Sequence, residues 1–221
     1  MTTLLIDNIF DIAIFVVCIY GIFRLFQKSV PLYFKLSGCA AFCYGLLVFY
    51  NFLTFNLLED EEAFIYVAPW ITSAVCGLLY TCNSGNFDKF IDDKSTDFKK
   101  SRMFAVIGPI IIVALYALFL INQQGLPPGV IIGDTITVIF AAMGSYTCLK
   151  YLLIKDKENT FLIAIKPLSF CSLMFSITIV GYVATYYAGF ELVAGILYYL
   201  SLCFIMAIVF ASIWGKKKWI S

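Results

Sequence analysis

Long apolar runs separated by short polar breaks dominate the chain. The runs lie at about 5–26, 32–56, 64–83, 103–122, 129–150, 160–187 and 190–214. A helix crosses the roughly 30 Å apolar core of a bilayer with about 20 such residues. Each run is long enough to do so. The pattern therefore predicts an all-α, polytopic integral membrane protein with seven transmembrane helices, and residues 1–221 as a single domain.

The breaks between the runs are polar or rich in turn-forming residues. They are Gln27 to Ser29, Glu59 to Glu62, Asp88 to Arg102, Gln123 to Gly129, Lys155 to Asn159, and Ala188-Gly189. The last is the weakest, because a glycine between two aromatic-rich runs could lie within one long helix. Two spans need about 40 residues in total. Since 160–214 exceeds that length, we expect a turn at Gly189.

The basic residues indicate an orientation for the seven helices. All 15 Lys and Arg residues fall in or beside the segments that follow the first, third and fifth helices, or in the C-terminal tail. Short cytoplasmic loops carry an excess of Lys and Arg. We therefore predict an N-terminus outside the cytoplasm, a cytoplasmic C-terminus, and a multi-pass protein of a plasma membrane or a secretory-pathway membrane.

Composition agrees with a membrane-embedded chain. Of the 221 residues 62% are hydrophobic and only 13% charged, whereas soluble domains carry about 25% charged residues. We expect no nucleic-acid partner, and the net charge of +1 is informative only through its distribution along the chain. The lipid bilayer is the predicted surrounding, and seven spans leave no room for a separate soluble domain.

The segment 84–102 has a pattern of its own. Phe87, Phe90, Ile91 and Phe98 recur at helical spacing among Asp and Lys residues. This spacing predicts a short amphipathic helix in the inner loop, lying on the membrane surface. Its acidic and basic residues nearly balance, which argues against a polybasic lipid-binding patch.

A faint internal match suggests a parallel 3+1+3 repeat. Asp11 and Gly21 align with Asp134 and Gly144, and Lys35 and Lys166 begin the second and sixth helices. Such an arrangement resembles the SWEET sugar transporters and the PnuC vitamin transporters in topology alone. The chain contains no Pro-Gln dipeptide, which is diagnostic in those proteins.

Four acidic residues enter the membrane region from the predicted outer side: Asp7, Asp11, Asp134 and Glu191. Ionisable groups inside a bilayer are costly and often functional. We predict that these four form an acidic outer mouth for a substrate, with Asp11 deepest, if their helices are neighbours. Such a mouth concentrates cations, and a buried carboxylate can also carry a proton. The alternative is that they are ordinary acids near helix N-termini, stabilised by the helix dipole.

Three basic residues lie near the opposite boundary: Arg24, Lys35 and Lys166. Long basic side chains there normally extend to the headgroup region. The sharper hypothesis is that they contact an anionic group from the cytoplasm.

The chain lacks the residues that most enzymes and metal sites use. Histidine is absent, and the eight cysteines form no CxxC pair. We therefore predict no metal, no cofactor and no catalytic residue, and cysteines that act as small apolar side chains. An enzyme is disfavoured by this composition.

Three functional classes remain. The first is a small transporter or channel that moves a small solute or cation through an intramembrane cavity. The second is a receptor-like or accessory protein that binds a partner protein through its cytoplasmic loops and its Lys216 to Lys218 tail. The third is a membrane-embedded lipid-modifying enzyme, ranked last because no nucleophile accompanies the acids. The oligomeric state is left open.

Overall fold

A computed structural model describes residues 2–58, 61–84, 96–123, 125–154 and 160–220. These residues form eight α-helices and contain no β-strand. The helices are α1 (Thr2–Leu25), α2 (Leu32–Leu53), α3 (Glu61–Ser84), α4 (Thr96–Ala105), α5 (Ile107–Asn122), α6 (Pro128–Leu153), α7 (Thr160–Tyr187) and α8 (Glu191–Ile220). A π-helical turn, Thr54–Leu58, continues α2.

Seven segments of this fold are long and apolar enough to cross a membrane. They correspond to α1, α2 with its π-turn, α3, the pair α4–α5, α6, α7 and α8. The fourth segment, Phe98–Asn122, contains the break between α4 and α5. The all-helical prediction and the count of seven spans are thus confirmed, and the chain is a multi-pass membrane protein.

Val106 interrupts the fourth segment between α4 and α5. Pro109 lies three residues further on, and it has no N–H to donate to the carbonyl of Ala105. The first helical bond across the break instead joins Ile110 to the carbonyl of Val106. The proline therefore explains why this segment is two helices.

The structure describes only part of the segment that was predicted to form an amphipathic helix. Phe87, Phe90 and Ile91 lie outside the described residues, so that prediction stays untested there. Phe98, the last of the four, belongs to α4 and is 1% exposed. It packs in a small cluster with Tyr151 and Phe161, inside the protein.

The turn predicted at Gly189 is present between α7 and α8. Gly189 has φ +77°, a conformation that glycine adopts without steric cost. The Phe190 N–H bonds back to the Thr185 carbonyl and closes the end of α7. The glycine thus allows the chain to reverse and α8 to pack along α7.

Helix α8 extends further than its apolar pattern. That pattern predicts an end at residue 214, but the helix continues to Ile220. Lys216 donates hydrogen bonds to the carbonyl of Arg24 and to the side chain of Gln27. Lysines in a last turn are also favoured by the helix dipole. The three charged residues therefore do not end the helix.

The helices pack in a definite order. Helix α7 packs along α8, α3 along α6, and α2 between α1 and α3. Helix α8 also contacts α1 and α2, and α5 packs on α6 and α7. The shared core of these helices includes Cys76, Phe175 and Leu202.

The bundle has two chemically different ends. At one, which we call the basic end, Lys216 contacts α1 and the Lys150 ammonium lies 4.5 Å from the Tyr151 ring centre. The other, which we call the acidic end, includes the starts of α6 and α8 with Asp134 and Glu191. This partition follows from the alternating direction of successive helices.

Candidate ligand-binding cavity

A cavity of about 480 Å³ opens among α2, α3, α6, α7 and α8. That volume is within the range of pockets for small organic molecules. Its lining is mostly aromatic and aliphatic, and no Lys or Arg of the described residues belongs to it. The polar and charged side chains that line it, apart from tyrosines, are Asn51, Thr72, Asp134 and Glu191.

The cavity occupies the acidic half of the bundle. Along α8 its lining runs from Glu191 to Tyr199, about 12 Å at 1.5 Å per residue. On α2 and α3 it reaches Tyr44 and Thr72. Beyond these residues the helices close on core side chains such as Val75 and Leu202, both fully buried. The cavity is therefore a pocket that extends from the acidic end, not a pore through the bundle.

Asp134 is the acid most deeply placed in this lining. It follows the Pro128 start of α6 by six residues, or about 9 Å along the axis. Its exposed fraction is only 4%. The preceding residue, Gly133, lies directly against Pro69 of α3, where an added Cβ would come within 2.7 Å of the proline Cβ. This close approach of α3 and α6 holds Asp134 against the cavity.

The Asp134 carboxylate receives no hydrogen bond from the described residues, in contrast to the hydroxyls around it. The neighbouring Thr137 hydroxyl bonds the carbonyls of Gly133 and Pro69, at 3.0 and 3.3 Å. Tyr182 and Tyr187 share the cavity lining with Asp134. A charged carboxylate buried without a donor or a cation is costly, so the charged form of Asp134 needs compensation by a bound cation, and otherwise the group takes up a proton.

Tyrosines of α7 and α8 form one wall of the cavity. Tyr182 is 5.8 Å from Tyr186 and 5.4 Å from Tyr198, measured between ring centres. Tyr187 is 5.4 Å from Tyr186, and Tyr199 is 5.6 Å from Tyr198. The five rings thus form one continuous contact chain on α7 and α8, and all five line the cavity.

The four predicted acidic residues do not all lie at the cavity. Asp134 and Glu191 both line the cavity, and Glu191 is exposed at its edge. Asp11 is buried in α1 and is not part of the lining, but it interacts electrostatically with the lining residues Tyr44 and Tyr198. The side chain of Asp7 lies outside the described residues. Helices α1 and α8 are neighbours, whereas α6 packs mainly on α3 and α7.

Sequence reasoning does not identify the tyrosine wall. Position near the membrane boundary indicates only interfacial anchors at Tyr186 and Tyr187, and position alone does not select Tyr198. Tyr44, equally inconspicuous, is 2% exposed and its hydroxyl lies 3.2 Å from that of Ser201. The available signal is the repetition of tyrosines at the end of one helix and again after the turn, in Tyr198-Tyr199.

At the basic end, the three residues predicted to contact an anion have different surroundings. Lys166 donates a hydrogen bond to the Ile154 carbonyl just after α6, a position where carbonyls lack a helical donor. Arg24 is exposed, with its guanidinium 5.9 Å from the Tyr20 ring centre, and Lys35 is half-buried. Lys150 is not among the predicted contacts, yet it is only 6% exposed.

No group of three or more His, Cys, Asp and Glu residues suited to a metal ion occurs in the described part of the chain. All eight cysteines are free thiols. No protein-family model, no curated protein and no solved structure matches this sequence.

Proposed function

We propose that this protein is a small membrane transporter that takes up a small solute from the acidic end of the bundle and holds it in the cavity beside Asp134. The single observation that carries the proposal is the buried Asp134 carboxylate in the wall of a 480 Å³ cavity, with no hydrogen-bond donor among the described residues. An expensive group of this kind inside a membrane protein usually marks a ligand or ion pathway.

The shape of the cavity favours a transporter over a permanently open channel. A channel needs a continuous path, whereas this cavity ends on buried core residues near the middle of the bundle. A transporter exposes its site to one side at a time, and its sites lie near the membrane midplane. The proposal therefore includes a second conformation in which the basic half opens, with the predicted 3+1+3 repeat as one way to build it.

Filling the cavity tests this function directly. Gly195 lines the cavity, and a Cβ added there meets no atom within 4 Å. We expect Gly195→Trp to fold, to occupy the cavity, and to abolish solute binding. The measurement is thermal unfolding of the purified protein against sugars, vitamins, nucleosides, amines and metal ions, followed by flux of any stabilising solute in proteoliposomes.

The matched control is Gly129→Trp, because Gly129 also has open space around it but does not line the cavity. This variant should retain the stabilisation by solute. If no solute stabilises the wild type, or if Gly195→Trp is stabilised equally, the cavity is not a binding site. The receptor-like or accessory role would then be the better hypothesis.

The proposed direction of uptake depends on the orientation inferred from the basic residues. With the C-terminus cytoplasmic, green fluorescent protein fused after Ser221 should fluoresce, and alkaline phosphatase fused at the same place should be inactive. The opposite pair of results would invert the orientation and place the cavity mouth on the cytoplasmic side.

A further inference from the structure

Resting on the proposed function of the same cavity, we infer that its ligand is a small organic ammonium ion, with Asp134 as the counter-charge and the tyrosines of α7 and α8 as the wall around the cationic head. The inference concerns the chemistry of the ligand, so it can fail while the cavity still binds another solute.

The charges around the cavity select a cation. Asp134 is only 4% exposed, and no described residue donates a hydrogen bond to it. Glu191 adds a second negative charge at the mouth, and none of the described basic residues lines the space. An anionic ligand would be repelled by both acids, whereas a cation would be attracted at the mouth and neutralise Asp134 at depth.

The aromatic lining favours an organic cation. The negative face of a tyrosine ring attracts ammonium groups within about 6 Å of its centre, and recognition of quaternary ammonium ions commonly uses several such rings. Tyr182, Tyr187 and Tyr198 line the same space as Asp134. A cation beside the carboxylate would therefore meet aromatic surfaces at the same time.

An inorganic ion fits this lining poorly. Ca²⁺ takes about six to eight oxygen ligands at about 2.3–2.6 Å, and Mg²⁺ demands an octahedral set. The described residues provide no cluster of acidic, histidine or cysteine side chains that could hold a metal ion. A cavity of about 480 Å³ also exceeds what one ion fills. A ligand with carbon substituents fits the cavity better, because the aromatic and aliphatic lining can pack against those substituents.

The experiment compares ligands that share a shape and differ in charge. Binding of choline, tetramethylammonium and n-butylamine to the detergent-purified full chain is measured by calorimetry, beside 3,3-dimethylbutan-1-ol, which replaces the ammonium of choline by an uncharged carbon. We expect choline to bind about tenfold or more tightly than the alcohol, a factor that corresponds to about 1.4 kcal/mol.

Three substitutions at two residues separate the contribution of the charge from that of the aromatic ring. Asp134→Asn keeps the size of the side chain and should weaken choline binding about tenfold or more, since it removes an interaction with a charged group. Its unfolding temperature without ligand serves as the control for folding. Tyr182→Phe should keep choline binding because the ring remains, whereas Tyr182→Leu should weaken it.

The outcomes distinguish this inference from the proposed function. If a sugar, a nucleoside or a metal ion binds in a manner blocked by Gly195→Trp while none of the three ammonium ligands binds, the ammonium assignment is overturned and the cavity function stands. Equal binding of choline and its uncharged analogue, or of choline to Asp134→Asn and the wild type, also overturns it. Absence of any ligand overturns both.

Discussion

Gly215→Ala should lower the unfolding temperature of the purified protein more than other single-methyl additions in its helices. Gly215 lies in α8 where that helix meets α2 and α7. A Cβ at this position would come within 2.6 Å of both the Ala164 carbonyl oxygen and the Phe34 ring. Ala164 and Phe34 are themselves fully buried, so neither can move away cheaply. Overpacking of this kind costs about 1–3 kcal/mol.

Gly195→Ala is the matched control on the same helix. Its added Cβ meets no atom within 4 Å. Alanine is the better helix former by about 1 kcal/mol, so this variant should be unchanged or slightly more stable. Thermal unfolding in detergent, followed by tryptophan fluorescence or by aggregation, compares the two. Equal stability of both variants would mean that α8 is not held against α2 and α7 at Gly215.

The second large effect is expected at Gly133, on the contact between α3 and α6. Its Cβ would lie 2.7 Å from the Pro69 Cβ and 3.3 Å from the Pro69 carbonyl carbon. The proline ring is rigid and is buried in α3. Gly133→Ala should therefore separate the two helices locally, with a destabilisation of about 1–3 kcal/mol. The Thr137 hydrogen bond to the Pro69 carbonyl would be lengthened as well.

Gly144→Ala provides the comparison along the same pair of helices. A Cβ there meets only Tyr80, at 3.9 Å, which is ordinary van der Waals contact. We expect this variant to be as stable as the wild type. Because Asp134 adjoins Gly133 and Pro69 lines the cavity, Gly133→Ala should also weaken solute binding, and Gly144→Ala should not. If the two variants unfold and bind alike, α3 and α6 are not in tight contact at Pro69.

Together these positions show how the cavity depends on small residues. Gly133 permits α6 to approach α3 closely enough to carry Asp134 into the wall. Gly195 leaves open space within the same lining. In a bilayer, helices associate through close packing and not through burial from water, so glycines at contacts have large effects. The cavity is the region in which this close packing is interrupted.

The acidic residues in the helices show how much of the candidate site the sequence can predict. Position along a helix is enough to select Asp134, Glu191 and Asp11, because an ionisable residue in an apolar run is conspicuous. Their grouping is conditional on which helices are neighbours. The structure brings Asp134 and Glu191 to one cavity, whereas Asp11 is not part of its lining. Whether any of them binds a solute stays a prediction.

By itself the sequence determined the helical class, the seven spans and the turn at Gly189. Each depends on local physics: the length of an apolar run against the thickness of a bilayer, and the freedom of glycine at positive φ. Local patterns also indicated the breaks after α1 and α5, whereas the break predicted from Asp88 to Arg102 overlaps α4, which begins at Thr96. Helix α8 continues past its apolar run because lysines do not stop a helix.

Only the tertiary structure decided where the cavity lies and which residues face it. In the sequence, tyrosines such as Tyr182 and Tyr198 resemble ordinary apolar or interfacial residues, because every face of a membrane helix is apolar. Which face meets another helix depends on side-chain packing between segments far apart in the chain, such as Gly133 on Pro69. No periodicity in one helix encodes that pairing, so the pocket beside Asp134 emerges only when α2, α3, α6, α7 and α8 are assembled.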